Sequence, residues 1–149
     1  MSTSITKREK ILKTLATQLQ TTEGVNKKVF RSRVTPIDRS EGSVIIIEPI
    51  SDNCEIQNNQ LKWSLAIRIS VITRGSKTKT LDQAADPIVK SIHDKINTDI
   101  TLGGNAVDIT PRNVSFDLID GDQPSGVVSC DYIIIYQTSI TDLSAKMRL

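Results

Sequence analysis

The sequence predicts an α+β domain, with a mainly antiparallel sheet of about five strands and two helices packed on one face. The first observation behind this is a long alternation over residues 61–73. Leu61, Trp63, Leu65, Ile67, Ile69, Val71 and Thr73 fall on one side of it, and Lys62, Ser64, Ala66, Arg68 and Ser70 on the other, with Ile72 as the break. Period two over that length is a strand with one buried face. At roughly 3.3 Å per residue the strand reaches about 43 Å, about twice an ordinary strand. A domain of this length measures about 30 to 35 Å across, so one long strand or hairpin is expected to project and to meet another subunit. The second observation is a pair of amphipathic helical patterns, one before and one after the long strand. The third is that the remaining strands are joined by short polar loops, which suit antiparallel pairing.

The first helix is announced by Thr6 and Glu9, which fit a capping box. Leu12, Leu15, Ala16 and Leu19 follow at helical spacing, with Lys7, Arg8, Lys10 and Lys13 on the polar face and Gly24 as a stop. Residues 28–34 read as a strand ended by Pro36. Residues 44–48 are a dense β-branched run ended by Pro49, expected to be buried on both faces. The stretches 36–43 and 51–60 are polar and read as loops. After the long strand comes a basic turn, 74–79, and then a second helix over Leu81–Thr98, with Thr80 and Gln83 as its capping box. Its apolar stripe is Leu81, Ala85, Ile88, Ile92 and Ile96. Pro87 removes a backbone donor inside it, so the expectation is one helix bent near Asp86.

Gly103 and Gly104 make a turn. Residues 114–118 then place Val114, Phe116 and Leu118 inward, and the loop 119–126 leads to a last strand over 127–138. Val128, Cys130, Tyr132, Ile134 and Tyr136 share one face of that strand, while Ile133 and Ile135 partly spoil the other. The residues after 138 are polar with a basic end and read as a flexible or partner-bound tail. The whole chain, 1–149, reads as a single domain.

The composition is that of an ordinary globular chain, with 38% hydrophobic and 24% charged residues. A net charge of +2 does not by itself imply nucleic-acid binding. Aromatic residues at 3% argue against stacking platforms for sugars or single strands. Cys54 and Cys130 match no zinc or redox spacing and read as free thiols in a reducing compartment. The apolar runs 44–47 and 133–135 are too short to span a bilayer, so no membrane is expected.

The search for chemistry finds little. His93 is the only histidine, so a multi-histidine metal site is out of reach, and no nucleophile sits in a recognisable elbow. Gly103-Gly104 lacks the spacing and the lysine of a phosphate loop. Asp117, Asp120 and Asp122 lack the closing glutamate of a calcium loop. No enzyme, cofactor or metal is expected. Basic clusters carry more information: Lys27, Lys28, Arg31, Arg33 and Arg39 decorate the first strand and its exit. Arg74, Lys77 and Lys79 tip the long strand. Arg31, Arg33, Arg68, Arg74, Lys77 and Lys79 are the candidates for contact with a neighbouring subunit or a larger assembly.

The order of these elements carries a resemblance. An amphipathic helix precedes VFRSRVTP at 29–36. The long strand LKWSLAIRISVITRG leads into a helix with LDQAADPIVKSIHDKI, and the closing strand reads SCDYIIIYQTSITDLS. Across nearly the whole chain this resembles the tail terminator, or tail completion, proteins of long-tailed bacteriophages, the minor tail protein U group. The resemblance implies a small α+β domain that forms a hexameric ring. The ring would cap the head-proximal end of the tail tube and end tube polymerisation. It would also present the surface that the head–tail connector protein joins, with duplex DNA passing through its lumen. It further implies a virion location at the neck end of the tail, after assembly in the host cytoplasm. The alternatives are another virion part, such as a tail tube subunit or a connector or stopper protein, and a small nucleic-acid-binding module.

Overall fold

The computed structural model describes residues 5–25, 27–32, 42–74, 78–119 and 125–144. Its elements are α1 (Lys7–Leu19), β1 (Val29–Arg31), β2 (Val44–Gln57), β3 (Gln60–Arg74), α2 (Leu81–Thr98), β4 (Asp108–Ile119) and β5 (Ser125–Ser139). The strands form one five-stranded sheet in the order β1-β2-β3-β5-β4. Every neighbouring pair is antiparallel except β1 and β2, so the sheet is mixed and the fold is α+β.

β3 is the centre. It pairs with β5 in unbroken register from Gln60 opposite Ser139 to Arg74 opposite Ser125. The alternation read from the sequence becomes the buried side of this pair: Leu65, Ile67, Ile69 and Val71 from β3, and Val128, Cys130, Tyr132, Ile134 and Tyr136 from β5. Both helices cover that side. α1 brings Ile11, Leu12, Leu15 and Leu19, and α2 brings Ala85, Ile88, Ile92 and Ile96. Each fully buried Ile or Leu contributes about 1.5 to 3 kcal/mol relative to an exposed one. The run Val44, Ile45, Ile46 and Ile47 is buried on both faces, as its composition predicts.

The stretch 51–60 is not the loop that its polarity suggests. β2 continues through Pro49 to Gln57 and turns back in a two-residue hairpin at Asn58 and Asn59, with φ of 54° and 61°. Positive φ at both central residues is what a type I′ hairpin requires, and asparagine tolerates it. The proline is accommodated because β1 pairs only with residues 45–47, so Pro49 lies beyond β1 on the outer edge of the sheet. The hairpin end, residues 53–59, is exposed and is the extended part that the strand length predicted. It does not stand alone, because β5 flanks β3 to its end.

The extra residue Ile50 forms a bulge between Pro49 and Ser51. A single inserted residue reverses which side chains face which side. Before the bulge, Ile45 and Ile47 point toward the helices. After it, Asp52 and Cys54 do, opposite Leu65 and Trp63.

Other boundaries also differ. The first strand is limited to Val29–Arg31 among the described residues, and 33–41 lie outside them. β4 begins at Asp108 rather than near 114, because Ile109 is buried opposite Ile134. Residues 139–144 are described, and there the Lys7 amide donates to the Leu143 carbonyl at 2.9 Å. Residues 145–149 lie outside the description. α2 is a single helix with Pro87 inside it.

The two helix starts separate a complete cap from a partial one. Thr80 accepts from the Gln83 amide at 3.4 Å, and the Gln83 side chain accepts from the Thr80 amide at 2.9 Å. Thr6 accepts from the Glu9 amide at 3.1 Å. The Glu9 carboxylate does not complete a box; it turns to Arg31 on β1, where Nη2 donates to it at 2.9 Å. A charged partner outcompetes a neutral amide.

Replacing Thr80 with alanine is expected to cost about 1 kcal/mol in urea unfolding, because the box loses its acceptor. The tyrosines give a pH signature. Burial pushes the Tyr132 phenol up to about 12 from 10.0. Burial, then the hydrogen bond to Asp52, raises Tyr136 as well. A raised phenol stabilises the folded state fully below its unfolded value, and that contribution is lost as pH climbs through the folded value. Unfolding free energy should therefore fall from about pH 10 to about pH 12, with tyrosinate absorbance in the native protein lagging behind that in urea.

Candidate interaction surface

Of the six basic residues singled out from the sequence, the four that are described do not form one patch. Arg31 lies on β1, on the helix side, paired with Glu9. Its hydrogen bond holds the Glu9 carboxyl below the usual range. Arg68 points to the opposite, helix-free side of the sheet and makes a two-pronged contact with Asp131, at 2.9 and 3.4 Å. In register with this pair stand Glu48 on β2 and Asn113 on β4, so a polar row crosses four strands, charged on three of them. Arg74 ends β3, and Lys79 is exposed just before the α2 cap. Arg33 and Lys77 lie outside the described residues.

His93 is absorbed by the fold: its Nδ1 lies 3.1 Å from the Tyr132 hydroxyl, and the rings stack. Burial pushes the Cys130 thiol up to about 11, whereas Cys54 is exposed on the hairpin. Among the described residues no three His, Cys, Asp or Glu side chains group as a metal site. No described helix is long and apolar enough to cross a membrane.

The hairpin is fastened at its base. The bulge at Ile50 turns Asp52 toward α1, where Arg8 Nε donates to it at 2.7 Å and the Tyr136 hydroxyl donates to the same oxygen. The Arg8 guanidinium lies 5.8 Å from the centre of the Trp63 ring. Trp63 stacks on Tyr136, with 6.1 Å between centroids, and donates from Nε1 to Thr138 at 3.0 Å. Lys7, itself buried, donates to the Gln137 carbonyl at 3.2 Å. One helix start, the hairpin and the last strand are thus tied through a partly buried ion pair and stacked rings. The Asp52 side chain is only 9% exposed, so the pair is well shielded from solvent.

The most distinctive surface is at the far edge of the sheet. The sequence places Val114 and Phe116 inward. They do face the helix side, opposite Cys130 and Val128, but they are 44% and 61% exposed. α2 passes over β3 and β5 without covering this end of β4. A groove of about 250 Å³ remains, lined by Asp82, Ala85, Asp86, Val89, Val114, Phe116 and Val128. Its floor is apolar and two carboxylates stand on its rim. β4 is also the end strand of the sheet. Pro111 and the bulge at Arg112 interrupt its pairing, a common guard against indiscriminate edge association. The stretch 113–117 beyond the guard is exposed along its length.

No family model matches the chain, and no curated protein matches it. Its fold, however, has a counterpart in an assembled particle. One chain of a solved structure, "Virion of native gene transfer agent (GTA) particle", superposes with a TM-score of 0.52. The match covers 89% of this chain and 92% of that chain at 11% identity. At that identity the likeness establishes a shared fold, and it covers most of both chains rather than a fragment.

The exposed apolar residues on β4 are not part of the core, and this has a measurable consequence. Phe116→Ser is expected to change the unfolding free energy by no more than about 0.5 kcal/mol in urea titration. Ile109→Ser, on the same strand but buried, should cost several times as much.

Proposed function

We propose that this chain is a structural protein of a phage-like virion, and specifically a tail terminator. In this reading it forms a ring, hexameric by resemblance, on the head-proximal end of the tail tube. The ring ends tube growth and offers the surface that the head–tail connector joins, with duplex DNA passing through the lumen. The role is non-catalytic. The observation that carries the virion reading is the likeness, over most of both chains, to a chain of a gene transfer agent virion, at 89% and 92% coverage; the terminator role within it follows the sequence resemblance. Two features of the molecule support it. The sheet ends in two unlike edges, which suits the heterologous contacts from which rings of identical subunits are built. The long hairpin is fastened at its base by Arg8, Asp52, Trp63 and Tyr136, as a rigid element projecting into an assembly requires.

Electron microscopy of the purified protein at low and high concentration tests this. The expected result is closed rings of uniform diameter with a hole of about 20 Å or more, wide enough for duplex DNA. Added to a polymerising tail tube protein, the chain should shorten the tubes. Long tubes formed by this chain alone would replace the terminator with a tube subunit. Monomers that also fail to bind open-ended tails would remove the reading. Retention on DNA with a steep salt dependence, without assembly, would favour a nucleic-acid-binding module instead.

A further inference from the structure

The two ends of the sheet are complementary in charge, in strand direction and in level. At the β4 end, the rim of the groove carries Asp82 and Asp86 over Val114, Phe116 and Val128. The nearby cations are Lys79, before the helix cap, and Arg112, at the bulge. At the β1 end the balance reverses. Lys27 and Lys28 lead into β1, Arg31 closes it, and Lys13 of α1 lies close enough to act on the Glu9 carboxyl. Glu9, held by Arg31, is a carboxylate among them.

The register sets both ends on the same rows. Val29 stands opposite Ile45, which faces Val71, then Val128, then Phe116. Two residues along, Arg31 stands opposite Ile47, then Ile69, Cys130 and Val114. β1 and the exposed part of β4 therefore close the same two rows from opposite sides of the molecule. Strand directions agree as well. β1 is parallel to β2, and each later step across the sheet is antiparallel, so β4 runs opposite to β1. A second copy displaced along the rows would set its β1 antiparallel to β4 of the first.

We propose that the groove between α2 and β4 receives the β1 edge of a second copy of this chain, joining copies head to tail. Val29 and the stem of Arg31 of one copy cover Val114 and Phe116 of the next. The cations at 13, 27 and 31 face Asp82 and Asp86. An apolar floor with an acidic rim fits a basic edge whose long side chains bury their stems and keep their charges outside. An arginine over the Phe116 ring adds a cation–π contact. The charges set the register and direction of the contact, and the apolar floor supplies the burial. Because the donor and acceptor edges differ, the contact is heterologous and repeats from copy to copy. The inference rests on the self-association contained in the function proposed above, and it does not need the tail role.

Charge exchange tests it. Asp82→Lys with Asp86→Lys alters the groove, and Lys13→Glu with Lys27→Glu alters the edge. Each double variant alone is expected to associate about tenfold or more weakly than the wild type in analytical ultracentrifugation. An equimolar mixture should regain assembly, because reversed groove meets reversed edge and normal groove meets normal edge. Far-UV circular dichroism reports whether each variant is folded. Asp86→Lys alone, which leaves the helix cap untouched, serves if the double groove variant is not folded. Wild-type association that is unchanged in all variants would overturn this contact and leave self-association standing. Weakening without recovery in the mixture would overturn it too. A wild type that stays monomeric at every concentration would overturn both the contact and the ring in solution. Tube-length measurements with the tail tube protein report separately on the tail role.

Discussion

The structure depends on the uninterrupted antiparallel pairing of β3 with β5. Their register runs without a bulge from Gln60 and Ser139 to Arg74 and Ser125. Because neither strand slips, two apolar rows meet side by side and make a flat target for both helices. A slip of one residue would turn Leu65, Ile67, Ile69 and Val71 away from α1 and α2, exposing the core and burying Arg68. Everything else is attached to this pair. β2 joins through a tight turn, β4 joins as the other half of a hairpin, and β1 adds a short parallel edge.

With the centre fixed in this way, irregularity is displaced to the flanks. Both bulges lie there, at Ile50 in β2 and Arg112 in β4, and both interrupted strands contain a proline next to the bulge. The first bulge has a structural result. It turns Asp52 toward Arg8 and Tyr136 and ties the hairpin to α1. The second separates the buried start of β4, at Ile109, from its exposed remainder. There Val114 and Phe116 keep their side of the sheet but lose their cover. The first insertion thus fastens the hairpin at its base, and the second lies where the covered part of β4 gives way to its open part.

Covering only one side of the sheet with two helices has a further effect. α1 lies toward β1 and α2 toward β4, and each helix carries its own charges to that end. Lys13 goes to the basic end, and Asp82 and Asp86 go to the acidic one. The result is a small domain with an electrostatic direction across its strands. A net charge of +2 conceals this, because it sums charges over the whole chain without regard to where they lie.

The sequence by itself determined the class of fold, the order of the elements and most of the core. Period-two and period-3.6 patterns depend only on which side chains share a face, and local chemistry enforces that. The alternation of 61–73, the caps at Thr6 and Thr80, and the apolar face from Val128 to Tyr136 were legible for this reason. The exposure of Val114 and Phe116 was not, because alternation says that residues share a side and cannot say whether a helix reaches them. The Ser51–Gln57 part of β2 does not show in the sequence because its residues are polar, and its pairing is imposed by β3 across a two-residue turn. The sequence points Glu9 to a helix cap because Arg31, distant in sequence, is invisible there as its competitor. Arg31, Arg68 and Arg74 looked alike as charges on strands, yet they end on one side, the other side and the tip of the sheet. Only the tertiary structure decided where the two rows of the sheet end, since that follows from register between strands far apart in the chain.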